Sequence, residues 1–235
     1  MKVLDLFSGI GGFSLGLQRA GFTTVQFVEI DPFCQKVLNK NFPGVPIHDD
    51  IKTFRGTEEL ADVICGGFPC QDLSCAGTQS GWSGQRSSLY IEMLRIIGEV
   101  RPKYCVFENV SNLLHGENGR WFSRFLNDLA PFGYDVQWHC IPASYIGAPH
   151  QRDRVWIVAY PPGLGLSIGK ILLSLSEKST IESWDWNGRR MDKPGIIGVA
   201  NGISDQLDRL KALGNAIVPQ IVEIIGRAIM EVENR

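Results

Sequence analysis

Short apolar runs alternate with amphipathic stretches through the first two-thirds of this 235-residue chain, and that alternation leaves few folds open. Val3 to Phe7, Thr24 to Glu29, Val63 to Gly66, Tyr104 to Glu108, Tyr134 to Ile141 and Arg154 to Ala159 have the length and apolar character of strands. Helical spacing falls between them, at Phe13 to Ala20, Phe33 to Asn41, Leu89 to Val100 and Trp121 to Leu129. Parallel strands need long crossovers, usually helices, so this order predicts an α/β fold of three layers with a mostly parallel sheet. The breakers agree. Gly21 stops the first helix, Asp31-Pro32 opens the second, Arg101-Pro102 follows the third and Pro131 the fourth.

The pattern changes after Ala159. Tyr160-Pro161-Pro162-Gly163 breaks the alternation, and residues 161–206 are rich in Gly and Ser and carry Trp184 and Trp186. Regularity returns at Leu207 to Leu213 and in a final helix from Val218 to Val232. The expected organisation is a large domain over 1–160, a small irregular appendage over 161–206, and a segment over 207–235 that returns to the large domain. A hydrophobic content of 44% is enough for a sizeable core, while a net charge of −2 decides nothing about nucleic acid, since a local basic patch suffices. Lys170, Lys178, Arg189, Arg190 and Lys193 form either such a patch or a solvated loop face. No signal-peptide pattern opens the chain and no apolar run reaches about 18 residues, so a cytoplasmic chain without a membrane span is expected.

Reduced thiols are then the default for the six cysteines. Cys65, Cys70 and Cys75 recur five apart, which is no zinc spacing, and no metal is predicted. Cys65, Cys105 and Cys140 lie inside apolar strands and read as small hydrophobes. Cys70 differs. It follows Phe68-Pro69 beyond a strand end, in Gly66-Gly67-Phe68-Pro69-Cys70-Gln71, where a helix N-terminus or an arginine would favour the reactive thiolate.

Two further segments end strands. In Asp5-Leu6-Phe7-Ser8-Gly9-Ile10-Gly11-Gly12-Phe13, glycines between a strand and a helix allow close backbone approach to a ligand. Glu29 ends the next strand at the spacing of a ribose-binding acid, and Asp50 ends Val45 to Ile51, a third possible strand. The alternative is a tight structural turn with a surface acid. Glu108 ends Tyr104-Cys105-Val106-Phe107 and reads either as a desolvated general acid or as a partner of an arginine or a helix end. Arg152 and Arg154 alternate just before a strand and share a face; they either hold a phosphate, a base edge or Glu108, or form a solvated strand entry paired with Asp153.

Taken in order along the chain, these segments resemble the DNA cytosine-5 methyltransferase family over about 180 residues. Asp5 to Phe13 resembles its cofactor glycine motif, Glu29-Ile30-Asp31 its ribose segment and Asp50-Ile51 its adenine-side motif. Gly66 to Gln71 resembles the nucleophile loop, Arg86-Ser87-Ser88-Leu89-Tyr90 the motif opening the next helix, and Glu108-Asn109-Val110 the ENV motif. Gln151-Arg152-Asp153-Arg154 resembles QxRxR, and Leu213 to Pro219 the last motif, which completes the cofactor pocket. The resemblance implies a Rossmann-like class I methyltransferase fold, S-adenosyl-L-methionine as cofactor with S-adenosyl-L-homocysteine as product, no metal, and double-stranded DNA as substrate. It implies Cys70 as nucleophile, Glu108 as proton donor, Arg154 and Arg152 as supports of the base and of Glu108, and Pro69, Gln71, Asn109 and Val110 around the base. Phe7, Gly9, Ile10, Gly11, Gly12, Glu29, Ile30, Asp50, Ile51, Leu89, Asn215 and Ala216 would line the cofactor site. A monomer working beside a cognate restriction endonuclease is the implied setting.

The chain departs from the family in three places. The roughly 46 residues of 161–206 are short for a target-recognition domain. The arginine-bearing motif that follows that domain is not evident in Val199 to Ser204, and His150 replaces the usual Gln. RNA cytosine methylation and a cofactor-binding module without catalysis therefore stand as alternatives.

Overall fold

The structure is a computed structural model and describes residues 1–68, 87–146, 152–166, 212 and 215–235. Seven strands form one sheet: β1 (Lys2–Leu6), β2 (Thr23–Val28), β3 (Ile47–His48), β4 (Val63–Gly66), β5 (Tyr104–Val110), β6 (Asp135–Pro142) and β7 (Asp153–Tyr160). Their spatial order is β3-β2-β1-β4-β5-β7-β6. The first five run parallel, while β7 runs antiparallel to both β5 and β6. The chain winds outward from β1 to β3 and returns to β4, so the switch in winding lies between β1 and β4. Ligands of open α/β sheets bind beyond the carboxyl ends of the strands at such a switch.

The helices are α1 (Gly12–Arg19), α2 (Pro32–Asn41), α3 (Ser87–Val100), α4 (Asn112–His115), α5 (Arg120–Leu129) and α6 (Pro219–Glu233). The start of α2 shows why the sequence reads so plainly. Asp31 accepts hydrogen bonds from the amides of Phe33 and Cys34, and Pro32 occupies a first-turn position where its missing N–H costs nothing.

Strand side chains alternate between two apolar layers. Leu4, Leu6, Ile64, Cys105 and Phe107 face Met93, Ile97 and Val100 of α3 and Phe125 and Leu129 of α5. Val3, Val63, Cys65, Tyr104 and Val106 face Phe13 and Leu17 of α1 and Ile221, Val222, Ile225 and Ile229 of α6. Each buried Val, Leu, Ile, Phe or Met among them contributes about 1.5–3 kcal/mol. The end of α6 is fastened to the start of β5, where Glu233 accepts from the Tyr104 hydroxyl at 2.6 Å and the Lys103 ammonium at 2.8 Å.

Cys65 and Cys105 are buried, as expected, but Cys140 is exposed. It lies on β6, the edge strand, whose outer side chains face water, so its apolar neighbours in sequence do not imply burial. Leu207 to Leu213, apart from Ala212, lies outside the described residues, as do Trp184, Trp186 and the lysines and arginines between 170 and 193. Among the described residues no helix is long and apolar enough to cross a membrane.

Candidate active site

All five parallel strands end on one rim. Because β7 runs the other way, its first residues meet the last residues of β5: Arg154 pairs with Val110 and Trp156 with Glu108. The glycine loop, Glu29, Asp50, Gly67, Glu108 and the two arginines are thereby gathered along a single edge.

The glycine loop is held from beneath. Asp5, fully buried at the end of β1, accepts at one carboxyl oxygen from the Ser14 amide at 3.2 Å and the Ser14 hydroxyl at 2.6 Å. Its backbone carbonyl accepts from the Ser8 hydroxyl at 2.6 Å. Burial pushes the Asp5 carboxyl up to about 7, against the pull of the Ser14 bonds and of a bond from the Cys65 thiol, while the Glu29 charge adds to the rise. Gly11 is the N-cap of α1 with φ 86°, a conformation that favours glycine. Glu29 spans the loop and the next strand end: its carboxylate accepts from the Gly9 amide at 2.7 Å and the Asp31 amide at 2.8 Å. Burial raises its pKa, partly offset by those amides. Beside it Ile30 is 70% exposed, an apolar side chain offered to the rim.

The C-terminal segment closes onto this loop. A Cβ on Gly12 would stand 2.9 Å from both the Cβ and the carbonyl oxygen of Ile217, so only glycine permits this approach. Asn215 is exposed and Ala216 half-buried just before that contact. Leu89, half-buried in the first turn of α3, packs on the α3-side core. Ile51 is buried in the same core, so it supports the Asp50 turn from inside.

Glu108 is 8% exposed. Its Oε1 lies 3.0 Å from Nε of Arg154 and 3.9 Å from an Nη of Arg152. Burial raises its pKa, and the two guanidinium charges, Arg154 first, oppose that rise. Glu108 is thus both desolvated and paired with arginine. Arg152 takes φ 38°, and burial followed by repulsion from Arg154 lowers its pKa. Asn109, 3% exposed, donates through Nδ2 to the Phe68 carbonyl at 3.2 Å, and its Oδ1 accepts from the Val110 amide at 2.8 Å. Gly67 lies between the two halves of the rim: a Cβ there would be 3.4 Å from Ile217 Cδ1 and 3.5 Å from Glu108 Oε2. Pro69, Cys70, Gln71 and His150 lie outside the described residues.

Two supports escaped sequence reasoning. Asp5 opens the glycine segment, but its place beneath the loop could not be read there. Phe68 looked like loop, yet it stacks on Phe125 at 5.6 Å and 11° and meets Tyr90 and Phe107, so the chain is fixed directly before Pro69. Among the described residues no three His, Cys, Asp or Glu side chains stand together as a metal site would require.

A glycine loop at the switch point, a carboxylate closing the next strand and an antiparallel β7 at the far side of a seven-stranded sheet define the class I methyltransferase fold. The chain belongs to the C-5 cytosine-specific DNA methylase family, whose sequence profile matches residues 1–186. It is similar to the type II methyltransferase M2.BsuMI of Bacillus subtilis, 42% identical over 163 residues, which cover 68% of this chain and 42% of that protein. It is also similar to the type II methyltransferase M1.ScrFI of Lactococcus lactis, 35% identical over 209 residues, 82% of this chain and 54% of that one. Among solved structures, the S. pombe Dnmt2 methyltransferase shares the fold with a TM-score of 0.63 at 23% identity, over 78% of this chain and 58% of that chain. The chain spans about half the length of the curated relatives it matches.

Proposed function

We propose that this chain methylates carbon 5 of cytosine in double-stranded DNA, using S-adenosyl-L-methionine and a transient covalent bond from Cys70. The observation that carries the reading is Glu108: a buried carboxyl, clamped by Arg154 and lying beside Gly67, three residues before Cys70.

The residues fit the cofactor. Gly9, Gly11 and the start of α1 form a backbone cradle, the exposed Ile30 offers an apolar face for a flat ring, and Glu29 and Asp50 end adjacent strands where ribose hydroxyls and a base amine would be met. Phe7, Ile10, Leu89, Asn215 and Ala216 complete the wall. When bound, the cofactor supplies an electrophilic methyl group.

The chemistry asked of the protein follows. The target base leaves the duplex stack, because its ring carbons are out of reach inside it. The Cys70 thiolate adds to carbon 6 while Glu108, whose burial favours the protonated form, protonates nitrogen 3. The electron pair released through the ring makes carbon 5 nucleophilic toward the methyl group. Loss of the carbon 5 proton to water then breaks the carbon 6–sulfur bond and releases the Cys70 thiolate, and nitrogen 3 returns its proton to Glu108. Arg154 holds Glu108 and the base oxygen, Arg152 supports both, and Asn109 fixes the carbonyl from which the Cys70 segment departs.

Tritiated methyl transfer to mixed genomic DNA tests the proposal, with Cys70→Ala as control and transfer RNA as a second acceptor. Incorporation into DNA that disappears in Cys70→Ala supports it. Incorporation into RNA alone, or cofactor binding with no incorporation, overturns the DNA reading.

A further inference from the structure

Arg95 lies within α3, outside the residues assigned above, and all three of its guanidinium nitrogens are engaged. Its Nε donates to Glu92 at 2.7 Å, one Nη to Glu99 at 2.5 Å, and the other Nη to the carbonyls of Ile51 at 3.0 Å and Phe54 at 2.9 Å. The two glutamates, three residues before and four after, aim the fork, and its free end grips the turn that follows β3. Glu99 adds a second link by accepting from the Gly56 amide at 2.8 Å. The turn is pressed onto the helix there, since a Cβ on Gly56 would stand 2.5 Å from Val100 Cγ2.

That turn is rigid toward Asp50. The Asp50 carbonyl accepts from the Thr53 and Phe54 amides, both at 3.0 Å, and its carboxylate accepts from the Lys52 amide at 2.9 Å. Ile51 and Phe54 are buried in the α3-side core. Asp50 therefore moves with the peptide groups that Arg95 holds.

We propose that Arg95 is a positioning residue for the cofactor pocket: it locks the Asp50–Gly56 turn to α3 and so fixes where Asp50 stands on the rim. The inference rests on the reading of Asp50 as a cofactor contact. Lysine cannot replace arginine here. A single ammonium cannot serve two carboxylates and two carbonyls in one plane, whereas the guanidinium offers its donors in a fixed fork.

Calorimetric titration of S-adenosyl-L-homocysteine into the full chain tests it, with wild type, Arg95→Met, Asp50→Ala and the double variant, all well below their melting temperatures. Each single substitution is expected to weaken binding about ten-fold, and the double about ten-fold as well, because both act on one group. Arg95→Lys is expected to resemble Arg95→Met. A merely structural role would lower the melting temperature and leave affinity in place. The inference is overturned if Arg95→Met binds within about two-fold of wild type while Asp50→Ala is weakened, or if the double reaches the roughly hundred-fold loss of independent effects. If Arg95→Met does not fold, Glu92→Gln and Glu99→Gln take its place. Each removes one partner of the fork and is expected to weaken binding about three-fold, and unchanged affinity in both overturns the inference. Failure of Asp50→Ala to weaken binding, or of wild type to bind, strikes the cofactor reading instead and takes the inference with it.

Discussion

Replacing Arg154 by Met leaves the Glu108 carboxylate buried with Arg152, 3.9 Å away, as its one cationic neighbour among the described residues. Removing one partner of a buried ion pair costs about 3–5 kcal/mol, and the remaining guanidinium places this case near 3. For a chain of this length that corresponds to a melting temperature lower by about 6–12 °C. The cost depends on pH, and its sign follows from Glu108. Burial raises its folded pKa above the ordinary 4.5, so between 4.5 and the folded value the native state holds the extra proton and stability falls as pH rises. Without Arg154 the folded pKa rises further, and the window of lost stability extends upward. Melting curves at pH 5 and pH 8 are therefore expected to differ. Toward low pH, where Glu108 holds its proton, the variant loses only packing and the hydrogen bond to the Asp153 carbonyl, about 1 kcal/mol; as pH rises and the carboxylate ionises, the loss grows toward the full amount. Adding Glu108→Gln to Arg154→Met is expected to recover most of the pH 8 loss, since a neutral amide needs no cation. An equal loss at both pH values, or no recovery in the double variant, would refute the claim that this carboxylate is held by charge in a dry site.

Two other expectations concern the cofactor half. Asp5 is pushed from 3.8 to about 7, so wild type loses stability as pH rises through that interval; Asp5→Asn is expected to show a flatter dependence in chemical denaturation between pH 4 and 8, and an unchanged slope would contradict the burial argument. Gly12→Val places a side chain where Ile217 already stands at 2.9 Å, and it is expected to cost about 1–3 kcal/mol and to weaken S-adenosyl-L-homocysteine binding measured by calorimetry; an unaltered melting curve would contradict the docking of residues 215–218 on the loop.

What the sequence disclosed and what it withheld divide along physical lines. Asp31-Pro32 announces the start of α2 because capping is a local event, and the hydrogen bonds to Asp31 come from Phe33 and Cys34. The apolar run Val63 to Gly66 is β4, residue for residue, since glycine and a loop end it. The antiparallel course of β7 left no trace in periodicity, because alternation is the same in either direction, yet it is what brings Arg154 to Glu108 across 46 positions of sequence. Pro131 marked the end of α5 but also opens a 3-10 turn over Ala130–Phe132, a position where its fixed φ is favourable. Single-turn α4 is too short to show a period. Asp5 opened the glycine segment without showing what it holds; its partner Ser14 lies nine residues on and is met only once α1 has packed. The exposed Cys140 shows the converse, since a strand's place at the edge of the sheet is set by topology rather than by its own residues.

The central claim is that Cys70 bonds to the base during methyl transfer, and trapping that bond tests it most directly. Duplex DNA of random sequence carrying 5-fluorocytosine, incubated with the chain and S-adenosyl-L-methionine, replaces the departing proton by a fluorine that cannot leave as a cation, so the thioether persists. A denaturation-resistant complex whose adduct maps to Cys70 by mass spectrometry, absent in Cys70→Ala and reduced in Glu108→Gln, is the expected result. Methyl incorporation into ordinary DNA with no trapped complex, or an adduct on another residue, would contradict it.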